Sequence, residues 1–241
     1  MKALVCFSGG QDSTTALGMA LKQYQEVYTV GFEYHQRHDV EMACRQKILK
    51  TIQDVLSVNS LRDDLVIPLP SFAKISDCAL TRDSPILMDV EKGLPTTFVP
   101  GRNLLFVTYA AAYAYRIGVH DIFLGVSETD YSGYPDCRDS ALKPLETALT
   151  NGMDYEIRLK TPFMFCDKAK EWEITEEIGG PEFVSYIAKE THTCYLGDHE
   201  HWHEWGYGCG LCLACTLRAR GFEEYREKRN TVISNSKLSM D

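Results

Sequence analysis

The short apolar run Ala3-Leu4-Val5-Cys6-Phe7 ends directly in Ser8-Gly9-Gly10-Gln11-Asp12-Ser13, and the chain continues as Thr14-Thr15-Ala16-Leu17-Gly18-Met19-Ala20-Leu21. That order reads as strand, tight loop, helix. Two glycines let backbone N–H groups approach an anion with no side chain in between. The positive end of the following helix is aimed at the same point. A P-loop would end in Gly-Lys-Ser/Thr, and this loop has no lysine. The hydroxyls of Ser8 and Ser13 stand beside the backbone donors instead, a combination suited to pyrophosphate. A strand-first loop of this kind constrains the chain to an α/β fold.

The rest of the sequence agrees. Glu26–Phe32 reads as a second strand, Asp39–Leu56 as an amphipathic helix, and Leu65–Leu69 as a third strand shortened by its prolines. Ser71–Arg102 is a long irregular stretch, Asn103–Gly118 a buried helix, and Asp121–Val126 a fourth strand. Tyr155–Pro162 gives a fifth strand and Asp167–Gly179 a polar helix, while Arg229–Asp241 reads as a polar, poorly ordered tail. Alternating strands and helices predict a Rossmann-like parallel sheet with helices on both faces. The loops after Phe7, Phe32 and Val126 should then converge at the carboxyl ends of the strands.

A length of 241 residues, 44% hydrophobic and 24% charged, is that of a globular enzyme with a sizeable core. The net charge of −9 opposes generic nucleic-acid binding. No segment is apolar and long enough for a signal-peptide core or a membrane span, and nine cysteines without an export signal point to a reducing compartment, the cytoplasm.

Cys209, Cys212 and Cys215 stand at Cys-x2-Cys-x2-Cys spacing, with Cys194 upstream. Four thiolates saturate tetrahedral zinc and make a structural site. An iron–sulfur cluster is the rival, although the cysteine-proline continuation of ferredoxin motifs is missing here. His199, His201 and His203 lie within the Cys194–Cys209 span and compete with Cys194 for the fourth position. The other cysteines, at 6, 44, 78, 137 and 166, read as buried small apolar residues. Glu128–Arg138 is a Gly- and Pro-containing loop with groups that recognise a guanine-like ring. Asp130 or Asp136 could accept its paired N–H donors, and Tyr131 or Tyr134 could stack on it.

The Ser8–Ser13 loop resembles the pyrophosphate loop of the N-type ATP pyrophosphatases. Phe7–Thr15, Phe98-Val99-Pro100-Gly101-Arg102-Asn103, Ser132–Arg138 and the cysteine cluster together resemble the 7-cyano-7-deazaguanine synthases of queuosine biosynthesis, over nearly the whole chain. The resemblance implies an α/β domain at 1–190, a zinc-binding region and C-terminal helix at 191–228, and a tail at 229–241. It implies a ligase that uses ATP with Mg2+ to convert 7-carboxy-7-deazaguanine and ammonia into the nitrile, with one structural zinc held by Cys194, Cys209, Cys212 and Cys215. The spacer after Cys194 is longer than the family's and carries the histidines. On this reading ATP lies along Phe7, Ser8, Gly9, Gly10, Gln11, Asp12, Ser13, Thr14, Thr15, Ala16, Leu17 and Gly18. Ser8, Asp12, Ser13 and Arg102 are catalytic; Asp130, Tyr131, Tyr134, Asp136 and Arg138 bind the substrate. Asp12 either sits near Mg2+ or caps the helix, and Asn103 caps its own helix or touches the nucleotide. Lys160 is a weaker cationic candidate. No nucleic acid or membrane partner is expected, and a homodimer is left open.

Two other readings stand beside it. A tRNA-thiolating enzyme of the same superfamily would need a basic RNA-binding surface, and a zinc-stabilised nucleotide-binding module would lack turnover.

Overall fold

The computed structural model describes residues 1–34, 39–71, 88–89, 94–129 and 134–238, with backbone alone at 88–89 and 232–238. Chain order is β1 (Lys2–Cys6), α1 (Gln11–Gln23), β2 (Glu26–Glu33), α2 (Val40–Leu56), β3 (Leu61–Pro68), the ribbon β4 (Met88–Asp89) and β5 (Leu94–Pro95), and α3 (Arg102–Ile117). Then come β6 (Asp121–Leu124), a 3-10 turn at Pro135–Cys137, α4 (Asp139–Met153), β7 (Arg158–Lys160), α5 (Lys168–Glu190), the ribbon β8 (Trp202–His203) and β9 (Gly206–Tyr207), and α6 (Leu213–Leu238).

The five-stranded sheet runs β3-β2-β1-β6-β7 with every pair parallel. The strand order reverses between β1 and β6, and a ligand crevice opens at such a point. Alternation along β1 divides the core. Leu4 joins Val30, Ile122 and Leu159 under α3 and α4, while Ala3, Val5 and Phe7 join Val27 and Phe123 under α1, α2 and α5. The sheet is thus covered on both faces, as expected.

Several elements differ from the sequence reading. β3 begins at Leu61 and pairs with β2 as far as Glu33↔Pro68, so proline ends the strand without shortening it. β7 has three residues at the sheet edge. α3 is amphipathic rather than buried, with Leu105, Tyr109 and Tyr115 exposed. α5 passes Gly179 through a break at Gly179–Gly180 and continues to Glu190, because Pro181 can open a new helical turn. α4 has no counterpart in the sequence reading. α6 is helical to Leu238, across most of the segment read as a poorly ordered tail. Of the four remaining cysteines among the described residues, Cys44 is buried and Cys6, Cys137 and Cys166 are half-buried; Cys78 lies outside the described residues.

Candidate active site

The loops after Phe7, Phe32 and Val126 do converge. They border a cavity of about 310 Å3 lined by Cys6, Phe7, Ser8, Asp12, Ser13, Phe32, Tyr34, Gly125, Val126 and Ser127 among others. A second compartment of about 260 Å3 shares Ser8, Asp12, Ser13, Tyr34, Glu41 and Arg102 with it and is closed by His192, Thr193, Cys194 and Tyr195.

The loop is built around Ser13. Its Oγ accepts the N–H groups of Ser8 and Gly9, each at 3.3 Å, and donates to Gly10 O at 3.2 Å. Two successive N–H groups converging on one oxygen is the arrangement a phosphate oxygen requires. Gly9 has φ +100°, and an added Cβ would lie 2.6 Å from Glu41 O. Gly125 passes so close beneath the loop that its Cβ would stand 2.6 Å from Ser13 N. The buried Gln11 amide lines the smaller compartment, and neither its Nε2 nor its Oε1 has a hydrogen-bond partner among the described residues. Orphaned donors, hydroxyls and converging N–H groups fit a polyphosphate ligand.

Helical periodicity turns Thr15, Ala16, Leu17 and Gly18 away from the cleft. Thr15 meets Thr175, Leu17 enters the core, and Gly18 gives room to Phe183. Thr14 binds Gly10 O at 2.7 Å and so holds the loop. Gly10 is the helix N-cap, and Asp12 sits in the first turn, so Asp12 does not cap. Its carboxylate pairs with Lys168 at 2.6 Å. Burial pushes Asp12 upward, but the Lys168 charge and hydrogen bond outweigh it and hold Asp12 below its ordinary value. Glu171, buried beside them, is raised well above its own ordinary value by burial and by the Asp12 charge.

Arg102 opens α3 inside the cleft. Its guanidinium lies 5.9 Å from the Tyr34 ring centroid and 5.8 Å from that of Tyr134, and it donates to Tyr34 Oη at 3.2 Å. Burial lowers Arg102, while Tyr34, Tyr134, Cys137 and Asp136 raise it further, so it remains a cation. Tyr134 lines both compartments and stacks on Phe98 at 5.7 Å. Asp136 instead faces the α3 N-terminus, where Oδ2 accepts Asn103 N–H at 2.9 Å while Oδ1 is buried without a partner among the described residues. Asn103 caps nothing; its Nδ2 donates to Cys137 Sγ at 3.1 Å, and it lines the larger compartment. Arg138 is exposed at the N-cap of α4, outside both linings. Asp130 and Tyr131 lie outside the described residues. Lys160 is an edge-strand residue paired with Asp121 at 3.6 Å, away from the cleft.

Sequence reasoning missed Glu41, Tyr34, Lys168, Thr193 and Tyr195, which the fold brings to the cleft from four separate segments. Burial raises the Glu41 carboxyl, against a Ser8 hydrogen bond and the Arg102 charge. Lys168 had a signal: a lysine in the first turn of a helix opposes the helix dipole and needs another reason to be there.

The Sγ atoms of Cys194, Cys209, Cys212 and Cys215 all lie within 4.8 Å of one another, with Cys209–Cys215 at 3.9 Å and Cys194–Cys212 at 4.0 Å. Tetrahedral zinc with bonds of about 2.3 Å sets sulfurs roughly 3.8 Å apart, so the set fits. Cys194 therefore completes a cluster of four thiols that needs no histidine. His199 packs with its Nδ1 3.3 Å from that of His192, His201 pairs with Asp198 at 2.7 Å, and His203 Nε2 meets Gly208 O at 2.9 Å.

The family model for queuosine biosynthesis protein QueC matches residues 2–226. The 7-cyano-7-deazaguanine synthase of Alkalilimnicola ehrlichii is 53% identical over 226 residues, covering 93% of this chain and 94% of its own. The 7-cyano-7-deazaguanine synthase 1 of Rhodopseudomonas palustris is 51% identical over 228 residues, covering 94% and 95%. A solved 4-thiouridine synthetase, crystallised with RNA and bound ATP, shares the fold with TM-score 0.51 and 17% identity over 93% of this chain and 53% of its own. A family model spanning almost the whole sequence and relatives half identical along nearly their full length agree, and the chain belongs to the queuosine biosynthesis protein QueC family.

Proposed function

We propose that this chain is a 7-cyano-7-deazaguanine synthase, an ATP-dependent carbon–nitrogen ligase that turns 7-carboxy-7-deazaguanine and ammonia into the nitrile. The observation that carries the reading is the Ser8–Ser13 loop, which opens with Arg102 into one cleft at the reversal point of the sheet. A carboxylate oxygen of the substrate attacks the α-phosphorus of ATP, and the bond to pyrophosphate breaks. The hydroxyls of Ser8 and Ser13, with the loop N–H groups they gather, stabilise the charge that builds on the departing group. Arg102 faces the same anions. Ammonia then attacks the acyl carbon and expels AMP, leaving an amide. The amide oxygen then attacks the α-phosphorus of a second ATP and pyrophosphate leaves; that oxygen departs as part of AMP, and with loss of two protons the nitrile forms.

Tyr134 is the aromatic face for the base, and the Asp130–Tyr131 segment supplies the remaining recognition. Mg2+ accompanies ATP as its counter-ion. Zinc on four thiolates supplies cross-linking only, since a saturated ion cannot polarise a carboxylate or activate water. The partners are small molecules; neither nucleic acid nor a membrane takes part, and no helix among the described residues is long and apolar enough to cross a membrane. The acidic net charge and the free cysteines among the described residues suit a cytoplasmic enzyme. Incubation of the purified protein with ATP, ammonium and 7-carboxy-7-deazaguanine, followed by mass spectrometry, should yield the nitrile with AMP and pyrophosphate. ATP binding without product would leave only a nucleotide-binding module.

A further inference from the structure

The loop has no lysine of its own, yet the fold brings one to it. Lys168, the first residue of α5, lines the larger compartment with its side chain 10% exposed. Its Nζ lies 2.6 Å from Asp12 Oδ1 and 2.9 Å from Glu171 Oε2. Its backbone is fixed from two sides. Asp167 caps the helix through Lys170 N–H at 2.7 Å, and α6 crosses so closely at Gly221 that an added Cβ would lie 2.3 Å from Lys168 Cβ. Charge explains why a cation is needed there. Asp12 and Glu41 face the anion site from the loop and from α2, with Arg102 opposite them. Without Lys168 those carboxylates would outnumber the cations and repel a polyphosphate.

We propose that Lys168 is a further catalytic residue of the synthase, one that moves its ammonium from Asp12 to the phosphate oxygens of ATP and stays with the departing pyrophosphate. The proposal rests on the ATP-site reading above. A lysine suits this exchange because its charge sits on a flexible four-carbon stem with three donors. Asp12 then acts as the holder that keeps the ammonium beside the loop until the anion arrives.

The rival role is structural: Lys168 could serve only to neutralise the buried Asp12 and Glu171. A charge-balanced pair of variants separates the two. Glu171→Gln keeps the Lys168–Asp12 pair and sets the reference rate, while Lys168→Met in the Glu171→Gln background removes one cation and one acid together. A catalytic lysine predicts a doubly substituted protein with the zinc content and melting temperature of Glu171→Gln, but with pyrophosphate release slower by about 100-fold. Its affinity for inorganic pyrophosphate should also fall, by about tenfold or more. Pyrophosphate release at the Glu171→Gln rate would overturn the proposal. Because Asp12 also loses its cation in the double variant, wild-type protein labelled with 15N at lysine Nζ decides between the roles, with Lys168→Arg to assign the signal. A shift of the Lys168 resonance on adding inorganic pyrophosphate supports the contact, and an unshifted resonance at saturation excludes it. Absence of nitrile from wild-type protein would sink the synthase reading, whereas normal wild-type turnover with an unaffected double variant would sink only the role of Lys168.

Discussion

At residue scale the loop is organised by Ser13, whose hydroxyl gathers the N–H groups of Ser8 and Gly9 while Ser8 Oγ stands 3.1 Å away. Ser8 also accepts Gly10 N–H at 3.3 Å. Removing either Ser8 Oγ or the Asp12 carboxylate should therefore disturb the anion site and little else. Ser8→Ala and Asp12→Ala are expected to lower pyrophosphate release by about 100-fold each, with circular dichroism and zinc content unchanged. Normal release from a folded variant of either kind would remove the loop from the chemistry. Asp136 behaves differently. Its carboxylate satisfies the first free N–H of α3, so Asp136→Ala should cost about 1 kcal/mol of stability, read by urea denaturation, and should weaken ATP and substrate binding alike. Selective loss of substrate binding would return Asp136 to the role of base reader. The serines, the glycines and Arg102 were legible because their chemistry sits in a short contiguous motif. Glu41 was not, because a residue brought in from another element leaves no local spacing to read, and Lys168 showed only as a lysine set against its helix dipole, with nothing to say which loop it meets.

At the scale of elements, close backbone approach decides what can change. Gly125 follows β6 and lies directly under the loop. Gly125→Ala should leave the sheet intact yet displace Asp12 and Ser13, with ATP affinity at least about tenfold weaker by calorimetry as converging donors lose their aim. Unchanged affinity would mean that the loop tolerates the shift. At the opposite end of β6, Asp121 accepts from Arg158 Nε at 2.7 Å and from Tyr24 Oη at 3.1 Å. Burial acts against its ionisation, but those bonds and the charges of Arg158 and Lys160 hold its carboxyl below the ordinary range. A folded-state pKa below the unfolded one gives stability that is present above the unfolded value and is lost as pH falls through the folded value. The stability gap between wild type and Asp121→Asn should therefore be full near neutrality and close below about pH 4. A gap that widens on acidification would contradict the sign. Most elements could be read from periodicity, and α4 could have been: Leu142, Leu145, Leu149 and Met153 recur at helical spacing and pack on the core. Pro144 stands past the unpaired first turn, so the helix gives up the bond that an N–H there would make to Ser140 O and continues around it.

At the scale of the molecule, the cysteine cluster reaches further than a remote clasp. The spacing of Cys209, Cys212 and Cys215 announced the site, but the sequence could not say that the chain entering it also walls the cleft. His192 N–H donates to Gly9 O at 3.3 Å, Thr193 and Tyr195 line the larger compartment, and Cys194 between them belongs to the four-cysteine cluster. From α6, Arg218 bonds Trp205 O at 2.8 Å, Thr193 Oγ1 at 2.8 Å and Ile187 O at 3.0 Å, tying the cluster to the end of α5. The cluster's own apolar core is small, centred on Trp205, so four thiolates left without a cation would repel one another with little packing to resist them. Their first neighbours to move would be residues 192–195. Zinc removal is therefore expected to weaken ATP binding together with stability, and not only after the fold is lost. Under a chelator at a temperature where far-UV circular dichroism is retained, ATP affinity should fall by about tenfold or more and return when zinc is restored. Cys212→Ser should show the same paired loss. Full ATP affinity in metal-free protein that keeps its secondary structure would show that the cluster and the nucleotide loop are independent.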